Sequence, residues 1–384
     1  MTALFSSAAK YALRLLTLVM FVLPAGGKGV ASAQAPVVQV NVGGSIADTE
    51  WSPDRTLVAV TGKGGTLIFD SNLREVARLP VSTGSGLKVS WSYDSLLLAV
   101  INSEDNHTVQ IWERSAANDF SLSATLRPEH KYSNSVAWHP HAKQLAVLVE
   151  DQPEGFNGLL GAIEVWHKTG SAWTVEKILI PDQEYIFPTP SLVWSPDGRA
   201  IAGVGNGCRV QECFNGDDSF VFVMGVASGE TLQKYDFIIP PYSLAWSSRN
   251  QLVIGEHQAH LVDVASHQLL TTWTDSDPNF AALQIDWNAD GTKFAAGSGN
   301  LNGGISIVDA DTLAVLRSFS NTGVIEALDW SPDDQYLVTG SEAGLVTLWD
   351  VGGLVDVSGT PTVTPLPTRA LKAETATPTP SIVK

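Results

Sequence analysis

Three acids stand directly before a tryptophan: Glu50 before Trp51, Asp286 before Trp287 and Asp329 before Trp330. Acids recurring at one sequence position have the chemistry to hold a cation, but the polar turn after each Trp favours solvated or turn-capping carboxylates. Asp54, Asp290, Asp333 and Asp334 lie in those turns. Asp286-Trp287-Asn288-Ala289-Asp290-Gly291 has the opening of a calcium loop, yet its twelfth position is Gly297 where a bidentate Glu is needed. It therefore reads as a turn. Glu256-His257-Gln258-Ala259-His260 carries ligating residue types without the His-Glu-x-x-His order, and it reads as a solvated bend, as do His139 and His141 around Pro140. Cys208 and Cys213, the only cysteines, are too few for a zinc site and are expected to form a disulfide across the insertion from Gly205 to Ser219. Closing so short a loop adds roughly 2 kcal/mol in the chain-entropy view. No Gly-x-Ser-x-Gly elbow, phosphate loop or full nucleotide fingerprint occurs. No catalytic residue, metal or cofactor is therefore expected.

The elements that position these residues come from a repeat. Trp51, Trp91, Trp138, Trp194, Trp246, Trp287 and Trp330 recur at gaps of 40, 47, 56, 52, 41 and 43 residues. A polar turn follows each, as in Trp51-Ser52-Pro53-Asp54 and Trp330-Ser331-Pro332-Asp333. Proline presets φ in such a turn and Ser bonds the backbone, so each turn joins two strands. Short apolar runs follow, such as Thr56–Val60, Thr66–Asp70 and Glu75–Leu79, and this spacing argues all-β. A period of 40–50 residues marks units that bury their faces only against neighbours. The fold class is therefore all-β, a seven-bladed β-propeller of four-stranded antiparallel blades. The last unit runs out after Trp349-Asp350, so Val37–Val40 is expected to close the ring as its fourth strand.

Over about residues 37–351 the chain resembles the WD-repeat family. The last unit matches best, with Leu337-Val338-Thr339-Gly340-Ser341 leading to Leu348-Trp349-Asp350. Elsewhere the final dipeptide is eroded, as in Phe69-Asp70 and Val308-Asp309, and the family's Gly-His is nearly absent, with Glu129-His130 its nearest relic. The His-Ser-Trp-Asp network of the family is thus not expected in most blades. The Trp-Ser-Pro-Asp-Gly turn is also similar to that of TolB-type periplasmic propellers. Ser195-Pro196-Asp197-Gly198 misses the Ser-x-Asp-x-Gly box of sialidase-type propellers by one residue.

In the topology that the resemblance implies, the longest insertions share one face, around blades three and four. They carry Phe156, Tyr185, Phe187 and Phe214 with the acids Glu184, Asp217 and Asp218. Aromatics give contact area at low entropic cost and acids select basic partners. The expected function is a non-catalytic scaffold that captures a protein or peptide, basic in character, through this face. The alternative is a propeller enzyme, or a small-ligand or sugar-binding protein, with its site at the channel mouth.

Charge and the chain ends complete the reading. Lys plus Arg is 23 and Asp plus Glu is 40, giving −17, which argues against nucleic acid. Residues 1–33 read as an export signal: Lys10 and Arg14, an apolar run from Leu15 to Ala25, then Ala31-Ser32-Ala33. That run is too short to span a bilayer. An exported monomer, extracellular, periplasmic or at the cell surface, is expected, with a propeller over 34–351. Residues 352–384, rich in Thr and Pro, read as a disordered tail without a C-terminal anchor.

Overall fold

The computed structural model describes residues 36–353 apart from 82–87, 104–106, 130–131, 152–159, 182–190, 207–218, 238, 301–303 and 321–322. Its strands form seven four-stranded antiparallel sheets, with no helix among the described residues. Blade one shows the plan: an inner strand Ile46–Trp51, then Leu57–Gly62, Gly65–Asp70 and an outer Glu75–Leu79, paired in chain order. The inner strands of blades two to seven are Val89–Trp91, Tyr132–Trp138, Leu192–Trp194, Ser243–Trp246, Ala282–Trp287 and Ile325–Trp330. Every repeat Trp therefore ends an inner strand, facing the turn that its sequence predicts.

The turn is built alike in most blades. In blade one the Arg55 N–H reaches the Ser52 carbonyl at 2.8 Å, and the Ser52 hydroxyl donates to Asp54 Oδ1 at 2.6 Å. The residue four after the Trp takes a positive φ in six blades: Arg55, Ser95, Gly198, Asn250, Gly291 and Asp334. Glycine adopts that backbone without penalty, which explains the Asp-Gly pair at two of the six.

Seven apolar clusters lie between adjacent blades, one per junction. Successive residues of a second strand serve different junctions. Leu57 and Ala59 pack toward blade two, whereas Val58 and Val60 pack toward blade seven. Burial on both faces is why these strands read as unbroken apolar runs. Each repeat Trp fills a junction; Trp91, for example, is 2% exposed between blades one and two.

The ring closes as the sequence predicts. Val38–Asn41 pairs antiparallel with Leu345–Asp350 as the fourth strand of blade seven, with Gln39 opposite Thr347. The Gln39 amide donates to the Thr347 hydroxyl at 3.0 Å across 308 residues of chain. Blade seven also keeps one Thr–Trp pair, in which the Trp349 indole donates to Thr339 Oγ1 at 2.9 Å. In blades two and three the corresponding indoles of Trp112 and Trp166 are taken by Gln110 and Glu164 on their own strands.

Candidate functional site

The inner strands enclose a central channel of about 310 Å³. Its wall is asymmetric. Blades six, seven and one contribute Asp286, Asp329, Asp48 and Glu50, while blades three to five contribute Ser135, Ala137, Ser191, Val193, Ser243 and Leu244.

The acids do not cap turns, and this corrects the sequence expectation. Each reaches across a blade junction to a backbone N–H. Trp91 N donates to Glu50 Oε2 at 2.9 Å, Trp330 N to Asp286 Oδ2 at 2.9 Å and Trp51 N to Asp329 Oδ2 at 2.6 Å. Ser90 plays the same part from blade two, accepting from Trp138 N at 3.1 Å. Inner strands have no partner strand on the channel side, so their N–H groups need acceptors. A side chain from the preceding blade supplies one. Three residues before the Trp, Asp48, Ser191 and Ser243 do likewise for Val89, Leu244 and Ile285 at 2.9, 3.0 and 3.3 Å.

The residue before the Trp also decides what the indole does. It is polar in blades seven, one, two and six, and in the blades that follow these, the indole N–H groups of Trp51, Trp91, Trp138 and Trp330 are buried without partners. It is Ala in blades three and five, and there the next blade's indole takes its carbonyl: Trp194 to Ala137 at 2.9 Å and Trp287 to Ala245 at 3.1 Å.

Electrostatics follow from enclosure by protein. Burial pushes the Asp286 carboxyl from 3.8 up to about 7, against the N–H groups of Trp330 and Trp287, and it hydrogen-bonds to Asp329. Burial, then the charges of Asp286 and Glu50, push Asp329 well up. Glu50 is raised by burial and by the charges of Asp48 and Asp286. A raised, hydrogen-bonded Asp286–Asp329 pair shares protons as a unit near neutral pH. Lys88 Nζ lies 3.1 Å from Asp48 Oδ1 and is the one cation among the residues lining the channel.

The turn acids behave as the sequence predicts. Asp54 and Asp290 hold their own turns, accepting from Thr56 N at 3.0 Å and Thr292 N at 2.8 Å. Despite partial burial, hydroxyl and backbone donors hold both below the usual carboxylate range. Asp290 sits in a turn in register with its siblings, so the calcium-loop likeness is a turn. Asp334 instead reaches the neighbouring blade, accepting from Ala289 N at 2.7 Å.

A second correction concerns His260. It is not in a solvated bend: it is 5% exposed on the strand Ala259–Asp263, with Nε2 2.8 Å from Glu256 Oε1 and Nδ1 3.0 Å from Thr272 Oγ1. The hairpin from Gly255 to Ala259 is so tight that the motif straddles bend and strand. His141 does lie in an exposed turn, while His139 packs on Trp194 at a ring distance of 4.7 Å. No three His, Cys, Asp or Glu side chains come together as a metal site among the described residues.

The aromatic and acidic loop residues Phe156, Glu184, Tyr185, Phe187, Phe214, Asp217 and Asp218 lie outside the described residues, as do Cys208 and Cys213. The channel acids were missed as a functional set. The signal was present: a polar residue before the Trp in blades one, two, six and seven, against Ala, Val and Ala in three, four and five.

Residues 313–350 match the family model described as WD domain, G-beta repeat. That stretch covers the outer strand of blade six and three strands of blade seven. The sequence repeat is thus staggered against the blade, and the same stagger lets the first strand close the ring. The chain is similar to WD repeat-containing protein 1 of Bos taurus, 26% identical over 220 residues covering 55% of this chain and 34% of the relative. It is 26% identical over 221 residues to the Gallus gallus protein and 25% over 220 to that of Mus musculus, with the same coverage. The chain spans about a third of the length of the curated relatives it matches. With seven blades and these matches, it is a β-propeller of the WD-repeat type.

Proposed function

We propose that this propeller is an exported, non-catalytic scaffold that captures a basic protein or peptide through the loop face of blades three and four, working as a monomer. WD-repeat propellers generally bind proteins, which supports the class of function. The observation that carries the choice of face is the condition of the opposite one. There the turns are bonded to one another around the ring: Arg114 to Asp54 at 2.7 Å, Lys143 to Asp94 at 3.2 Å, His141 to the Pro196 carbonyl at 2.7 Å and Asn288 to Asp334 at 3.0 Å. Those polar groups are committed to holding blades together. The longest insertions, 152–159 and 207–218, leave from the other end of their blades, after the pairs Asp151–Leu160 and Asn206–Ser219. Loops on a rigid scaffold are the usual carriers of recognition.

In this reading residues 1–33 are removed on export, 34–351 form the propeller and 352–384 act as a spacer. Changing Tyr185 and Phe187 together to Ala should weaken capture of the partner from the native extracellular fraction while leaving thermal unfolding nearly unchanged. Undiminished capture rejects this face. Robust turnover in a screen of hydrolase substrates rejects the scaffold reading.

A further inference from the structure

We propose that the central channel binds small aliphatic amine cations, with Glu50, Asp286 and Asp329 receiving the ammonium groups and the wall formed by blades three to five receiving the alkyl chain. This site is separate from the loop face and does not rest on it. Four observations converge. The channel has the size of a small-molecule pocket, about 310 Å³. Its charge is uncompensated, since Lys88 already pairs with Asp48 and leaves three acids without a cation. Its two sides differ, acidic at blades six, seven and one, but hydroxyl-bearing and aliphatic across the ring at Ala137, Val193 and Leu244. Thr49 lines the same channel at 3% exposure with a hydroxyl that has no hydrogen-bond partner. Strand alternation turns Thr49 away from Asp48 and Glu50, which bond blade two, and toward blade seven, from which Asp329 reaches Trp51.

Ligand class follows from how the acids are spread. They come from three blades and form no chelating group of three, which disfavours a compact metal ion. A chain with ammonium groups at its ends reaches separate carboxylates and leaves its methylenes on the aliphatic side. The empty channel neutralises its acids by protonation, as the raised Asp286, Asp329 and Glu50 indicate. An entering ammonium therefore displaces protons. The charged groups facing this cluster are Asp48 and Lys88, with Glu326, Glu342 and Asp334 further out along the same junctions.

The test is calorimetric titration of the whole chain with diaminobutane and with spermidine, in two buffers of different protonation enthalpy. Saturable binding, with Kd of roughly 1 mM or tighter and heat that depends on the buffer because protons are released, supports the site. The double variant Asp286→Asn, Asp329→Asn keeps an acceptor oxygen for Trp330 and Trp51, and should bind at least about tenfold more weakly, a loss of about 1.4 kcal/mol. Its thermal melt reports whether the ring is intact. Absence of saturable binding overturns the proposal. So does equal binding to the wild type and an intact double variant, which would assign the effect to general attraction by a chain of charge −17. Calcium chloride binding more tightly than the amines, with loss in the same variant, overturns the ligand class.

Discussion

Moving from about pH 5 to about pH 8 should loosen this propeller, because three of its inter-blade fasteners are acids held above their ordinary range. A carboxyl whose folded value exceeds its unfolded value binds protons more tightly in the folded state. Its contribution is fully present below the unfolded value and is lost as pH rises through the folded one. For Asp286 that window runs from 3.8 to about 7. Roughly three pH units at 1.36 kcal/mol each give at most about 4 kcal/mol, and water in the channel reduces this. Glu50 and Asp329 act in the same direction, as a set coupled with Asp286. Asp54, Asp94, Asp197 and Asp290 act oppositely: held low, they lose their contribution only as pH falls through their folded values, below 3.8. Stability should therefore peak near pH 4–5, on the acid side of the usual range, roughly pH 5–8. Urea midpoints measured across this range check it, with Asp286→Asn as the comparison. The variant should show a flatter decline toward pH 8. Wild-type stability that is flat or rises from pH 5 to pH 8 refutes the reasoning.

Two further substitutions probe the same construction. Ser90→Ala removes the acceptor of the Trp138 N–H in a buried junction and should cost about 1–3 kcal/mol in denaturant unfolding. A cost near zero would mean that the N–H finds another partner. Gly198→Ala places a methyl 2.0 Å from His139 Nε2 at a φ of +70°, and should cost about 1–3 kcal/mol. Adding His139→Ala should recover the part due to collision and leave the backbone part, as a double-mutant cycle will separate.

The wheel itself was legible because its signal is local and repeated. Trp-Ser-Pro-Asp specifies a turn wherever it stands, and six further turns in register leave few other architectures. The closing strand was also readable: the last unit lacked a fourth strand, and an unused β-rich segment lay at Val37–Val40. The role of the acids was not legible, because their partners are far away in sequence. Glu50 bonds a residue 41 positions on, and Asp329 one 278 positions back. Only a closed ring makes Asp329 and Trp51 neighbours. Turn-capping is the commoner fate of an acid beside a polar turn, and it does hold for Asp54 and Asp290. His260 was misread for the reverse reason: the bend before it is too short to show as a strand boundary.

Closure by the N-terminal strand is the claim on which the channel, its acidic wall and every inter-blade bond depend. Gln39 and Thr347 face each other in register, with side chains 3.0 Å apart. Gln39→Cys with Thr347→Cys should oxidise readily in the native protein, and peptide mapping should recover that linked pair. Linkage of Gln39→Cys to a cysteine at Leu348 instead, or no linkage in folded protein, would contradict the closed ring.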